Sequence, residues 1–93
     1  MVNISVDILL KGSKDGNNVS INETISFPKE DFGYKVMKDS RYSENQINKI
    51  LKDKAKERIN ELSIHILGEL GDRYEIYFSE YHIKKINIKK ITL

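Results

Sequence analysis

The chain has no cysteine and no tryptophan, one proline, three arginines and two histidines in 93 residues. Each shortage excludes something. Without cysteine there is no disulfide, no thiolate nucleophile and no thiolate-held metal. With Pro28 as the only proline, nothing after it forces a break in a helix or strand. Scarce arginine removes the side chain that most often reads phosphates and bases bidentately. No apolar run approaches the roughly 18 residues of a membrane-spanning helix. No Gly-x-Ser-x-Gly elbow and no Gly-Lys-Ser/Thr phosphate loop occurs. Met1 leads straight into an alternating segment with no secretory leader, so a cytoplasmic, membrane-free location is expected.

What is present centres on residues 43–70, which read as one long amphipathic helix. Ser43 stands at an N-cap position with Gln46 three residues on, the spacing of a capping box. Gly71 offers a left-handed stop. At about 100° per residue, Ile47, Leu51, Ala55, Ile59, Leu62, Ile66 and Leu70 fall on one stripe. Leu62, in mid-stripe, is expected in the core, and Arg58 is expected to lay its stem there with its head in water. Ile50, Ile64 and Leu67 project away from the stripe, so the helix needs cover on a second side.

Upstream, Val2, Ile4, Val6, Ile8 and Leu10 alternate with polar residues, as in a strand with one buried face. Gly12 through Asn18 carry turn residues throughout and suggest a long hairpin tip. Val19, Ile21, Ile25 and Phe27 resume the alternation, with Glu23 in an apolar slot, and Pro28 ends it. Residues 28–42 form a connection too long and too apolar to be bland. Phe32, Tyr34, Met37 and Tyr42 within it are expected either to cap the core or to form a recognition loop.

After Asp72 the chain is again β-prone. Tyr74, Ile76 and Phe78 alternate with polar residues, and no turn dipeptide follows. Residues 73–93 are therefore one long strand or a hairpin without the usual turn residues. The basic excess lies here: residues 1–72 hold 11 Lys+Arg against 12 Asp+Glu, whereas residues 73–93 hold 5 against 2.

Few residues invite chemistry. His65 and Glu69 share a helix face, but a catalytic metal needs three protein ligands and no third is evident. His82 has only Glu80 nearby in sequence and no readable orienting partner. Lys84, Lys85, Lys89 and Lys90, near Tyr77, Tyr81 and His82, are either contacts to nucleic-acid phosphates and bases or edge-protecting lysines.

These observations lead to an α+β fold within a single domain, residues 1–93. A β-hairpin, one long helix and one or two C-terminal strands, ββαβ(β), make an antiparallel or mixed sheet with the helix across one face. No catalytic residue, cofactor or metal is assigned, and an enzyme is not expected. The expected function is a non-catalytic interaction module acting as a homodimer with a protein partner. Its richness in Ile, Lys and Asn suits an accessory protein of a phage or mobile element. The alternative is a small nucleic-acid-binding protein using the C-terminal lysines. Self-association is expected through Ile64, Leu67, Ile83, Ile86, Ile88 and Ile91. Three points lead there: a helix of about 40 Å would overhang strands of about 23 Å, Ile64 and Leu67 lie off the stripe, and the segment after Ser79 lacks an evident internal partner.

Overall fold

Pro28 ends the second of three strands, and these strands set the dimensions of the molecule. The structure is a computed structural model and describes residues 2–28, 32–33 and 40–90. The strands are β1 (Val2–Lys14), β2 (Asn17–Pro28) and β3 (Tyr77–Lys90), of 13, 12 and 14 residues. They form one antiparallel sheet in the order β2-β1-β3. Two helices, α1 (Glu44–Glu61) and α2 (Ser63–Tyr74), connect β2 to β3. The α+β class and the antiparallel sheet agree with the sequence reading; the division of the helix and the strand lengths do not.

The hairpin turn is shorter than expected. The strands run on to Lys14 and resume at Asn17, so only Asp15 and Gly16 turn. Both have positive φ, 52° and 81°. That is the backbone of a type I′ turn, for which Asp-Gly is a favoured dipeptide. The polar residues on either side, Ser13, Lys14, Asn17 and Asn18, are exposed strand residues.

The expected single helix breaks at Leu62, whose backbone (φ −95°, ψ 6°) closes α1 and opens α2. Asn60 and Ser63 flank it, and both compete with helical hydrogen bonds through their side chains. The N–H of Leu62 still donates to the Arg58 carbonyl at 3.0 Å, and that of Ile66 to the Leu62 carbonyl at 2.9 Å. The break redirects the stripe. Ile47, Leu51, Ala55, Ile59 and Leu70 are buried, whereas Leu62 stands 38% exposed. The helix also runs past Gly71 and ends at Tyr74, with Glu75 taking the left-handed conformation (φ 56°). Gly71 serves a different purpose: a Cβ there would lie 2.8 Å from the Ile76 carbonyl oxygen, so its absence lets β3 approach the helix. At the other end the capping box forms as read, with the Gln46 N–H donating to Ser43 Oγ at 3.2 Å and the Ser43 N–H to Gln46 Oε1 at 2.8 Å.

Residues 77–90 make one strand rather than a hairpin, paired along its length to β1. It starts later than expected, because Tyr74 ends α2. Two irregularities in the ladder place Ser79 and Lys84 as extra residues. Each shifts the alternation by one position. Phe78, Tyr81, Ile83, Ile86 and Ile88 therefore share the face of β1 that carries Ile4, Val6, Ile8 and Leu10. Gly12 sits opposite the first irregularity, and a Cβ there would fall 2.0 Å from the Tyr77 carbonyl oxygen. The core lies between this face and the helices. Ile4, Val6, Ile8, Leu10, Leu51 and Ile59 are its largest fully buried members.

Two premises of the expected dimer fail here. The strands are 12 to 14 residues long rather than seven, so the helix does not outrun the sheet on that ground. The segment after Ser79 has an internal partner in β1.

Candidate interaction surfaces

The sheet has one face under the helices and one open face, and β1 carries both. Ile4, Val6, Ile8 and Leu10 of β1 face the helices and are buried, whereas its other side carries Asn3, Ser5, Asp7, Leu9, Lys11 and Ser13, of which Ser5 is also buried. Rows run across the strands by register: Ser26–Ser5–Asn87, Thr24–Asp7–Lys85, Asn22–Leu9–His82, Ser20–Lys11–Glu80. Thr24 Oγ1 donates to Asp7 Oδ1 at 2.8 Å, and the Ser5 and Ser26 hydroxyls are 3.3 Å apart. Mixed charges and short polar side chains leave this face without a dominant field.

The lysines considered for nucleic acid are spread along the second half of β3. Lys85 stands opposite Asp7, and Lys84 is the extra residue of an irregularity. Lys89 and Lys90 are successive partners of Asn3 and Val2 at the end of the ladder. Tyr81 lies on the helix side, where its hydroxyl donates to Asn60 Oδ1 at 2.6 Å. Tyr77 is 74% exposed, and His82 lies 3.3 Å from Glu80 in an exposed pair.

The histidines join no larger cluster. His65 and Glu69 are 3.6 Å apart on the exposed side of α2. Among the described residues no group of three His, Cys, Asp or Glu side chains converges, and no helix is long and apolar enough to cross a membrane.

Phe32 is buried, meeting Phe27 edge-on at 5.6 Å between ring centres. The Arg58 guanidinium lies 5.4 Å above its ring, and Lys54 Nζ donates to its carbonyl at 3.3 Å. Phe32 thus caps the core, and Arg58 finds a ring face as well as water for its head. Tyr42 is half exposed. Tyr34, Met37 and Ile91 lie outside the described residues.

Of the residues expected to mediate self-association, Ile83, Ile86 and Ile88 pack against the core from β3, and Leu67 is partly buried on it from α2. Ile64 is 87% exposed. It borders a hollow of about 560 Å³ lined also by Leu67, Gly68, Ile76, Tyr77 and Phe78. Gly68 leaves the hollow open, since a Cβ there would meet nothing within 4 Å.

Glu23 is a polar residue amid the apolar side of the sheet. It pairs with Ile8 and accepts a hydrogen bond from the Tyr74 hydroxyl. That bond, then burial, then the Glu23 charge hold the Tyr74 phenol above its ordinary pKa, with Arg73 opposing. The pair bridges α2 and β2 beside an open hollow lined by Thr24, Ile25, Ile66 and Leu70.

Sequence reading missed the two outer edges of the sheet as surfaces of different character. The signal was available: Phe78, Tyr81, Ile83, Ile86 and Ile88 are spaced three, two, three and two, the trace of two irregularities in an otherwise alternating strand. β2 shows no such interruption from Asn17 to Pro28. No known family matches the chain, and no curated protein or solved structure matches it.

Proposed function

We propose that the protein is a non-catalytic interaction module that works as a homodimer and recognises other protein surfaces. The carrying observation is apolar surface left bare on a small domain: Ile64 at 87% exposure and Tyr77 at 74%, flanking an open hollow of about 560 Å³. A contiguous exposed apolar patch beside an open hollow is the kind of surface that another protein covers. The chain's composition suits an accessory protein of a phage or mobile element. Nucleic-acid contact through Lys84, Lys85, Lys89 and Lys90 has less support, because Lys85 faces Asp7 across the ladder and Tyr81 is engaged with Asn60.

Sedimentation at micromolar concentration tests the reading. A mass near twice the 10.8 kDa of the chain is expected. A mass that stays at 10.8 kDa as concentration rises contradicts it. Binding to mixed DNA or RNA at about 50 mM salt, where phosphate contacts are strong, would favour the alternative.

A further inference from the structure

We infer that the outer edge of β2 is the seam of the dimer, pairing antiparallel with the same strand of a second copy about a two-fold axis at Asn22. This rests on the homodimer reading and assigns its surface, leaving the hollow beside Ile64 free.

The two edges of the sheet differ in what they offer another strand. β3 carries two irregularities and the lysines at 84, 85, 89 and 90, devices that discourage pairing. β2 runs through 12 residues in unbroken register, with no lysine and Glu23 as its one charged residue. Among the described residues, no strand lies beyond it.

The ladder fixes which backbone groups are free. In a two-residue type I′ hairpin the residues flanking the turn form a hydrogen-bonded pair, and the pairs then alternate. Lys14 and Asn17 flank this turn. Asn17, Val19, Ile21, Glu23, Ile25 and Phe27 therefore bond to β1, and Asn18, Ser20, Asn22, Thr24 and Ser26 direct N–H and C=O outward. These are the short polar residues of the open face.

The occupant that fits is a second copy. A two-fold axis through the Asn22–Asn22 pair matches Ser20 with Thr24 and Asn18 with Ser26, all among the outward-bonding residues. It matches Val19 with Ile25 and Ile21 with Glu23, so no like charges face each other across the seam. A register centred on Glu23 would oppose the two carboxylates and is disfavoured. The matched stretch extends about 35 Å, giving the two-fold contact a long continuous base.

Packing on the other side supports the same occupant. Ile4, Val6, Ile8 and Leu10 of β1 are buried, yet Val19, Ile21, Ile25 and Phe27 on the same face of β2 are only partly so. A two-fold axis perpendicular to the sheet places the helices of both copies on one side of a six-stranded sheet. The two half-covered apolar rows then lie side by side between them.

The test uses the absence of native cysteine. Residues in a hydrogen-bonded antiparallel pair have Cα atoms about 5.5 Å apart, within disulfide range. Asn22→Cys should form a disulfide-linked dimer under mild oxidation at micromolar concentration, at least tenfold faster than Asn87→Cys on β3. Asn22→Lys, which opposes two ammonium groups at the axis, should sediment as a monomer with unchanged far-ultraviolet circular dichroism. A parent that is itself monomeric overturns both the seam and the homodimer reading. A dimeric parent whose Asn22→Cys links no faster than Asn87→Cys, and whose Asn22→Lys stays dimeric, overturns the seam alone. In that event Ile64→Glu should dissociate the dimer.

Discussion

β2 and β3 are both edge strands flanking the same central strand, with nearly equal lengths of 12 and 14 residues. They manage their unpaired backbone in opposite ways. β3 breaks its ladder at Ser79 and Lys84 and places lysines around the second break. β2 keeps a regular register and carries Asn, Ser and Thr at the positions whose backbone groups point outward. Irregularity and positive charge both raise the cost of adding a strand, so one edge is closed and the other is available.

The comparison depends on β1 holding both edges in place. Ile8 is 1% exposed and lies between Glu23 on one side and Ile83 on the other. Ile8→Ala should cost about 2–5 kcal/mol in denaturant unfolding, the usual penalty for a large cavity in a packed core. Leu62→Ala, on a side chain that the helix break leaves 38% exposed, should cost under about 1 kcal/mol. Equal costs would show that the break at Leu62 is misplaced.

Next in size is a change that strikes the β3 edge alone. Gly12→Ala drives a methyl into the Tyr77 carbonyl at the first irregularity. It should destabilise by about 1–3 kcal/mol or more, as overpacking against backbone does. A stability indistinguishable from the parent would mean that β3 follows a regular ladder and that the two edges are alike.

Much of this fold was legible in the chain. The alternation of Val2 to Leu10 marks a half-buried strand, and Ser43 with Gln46 marks a helix start, because both patterns are local and periodic. The break at Leu62 was not, since Asn60 and Ser63 are tolerated in many unbroken helices and tertiary packing decides the outcome. The direction of β3 was obscured by its irregularities, which move apolar residues from even to odd positions and back: 78, 81, 83, 86, 88. Ile83, Ile86 and Ile88 consequently read as surplus apolar residues in need of a second copy, when they complete the core of their own chain. Ile64 was legible as an outlier from the stripe and stays exposed. The availability of the β2 edge depends on strand order, which no local pattern encodes.

Smaller effects sharpen the contrast. Asn22→Lys should change the stability of the isolated fold by no more than about 0.5 kcal/mol, as exposed substitutions do, while abolishing self-association. The Tyr74–Glu23 hydrogen bond links α2 to β2 and should weaken in alkali. It raises the phenol pKa above the ordinary value. The stabilisation is therefore complete below about pH 10, the value of an unfolded tyrosine, and is lost as pH rises through the folded value. Tyr74→Phe should flatten that part of the stability profile, read by thermal unfolding between neutral and strongly alkaline pH. An unaltered profile would place the alkaline sensitivity elsewhere.

The most direct test of the contrast between the edges is residue-resolved amide exchange across a concentration series. The amides of Ser20, Asn22 and Thr24 point away from β1, so in an isolated copy they exchange with solvent. The account predicts that their protection grows from nanomolar to micromolar protein, while the outer edge of β3 exchanges at the same rate throughout. Rapid, concentration-independent exchange at Ser20, Asn22 and Thr24 would contradict it.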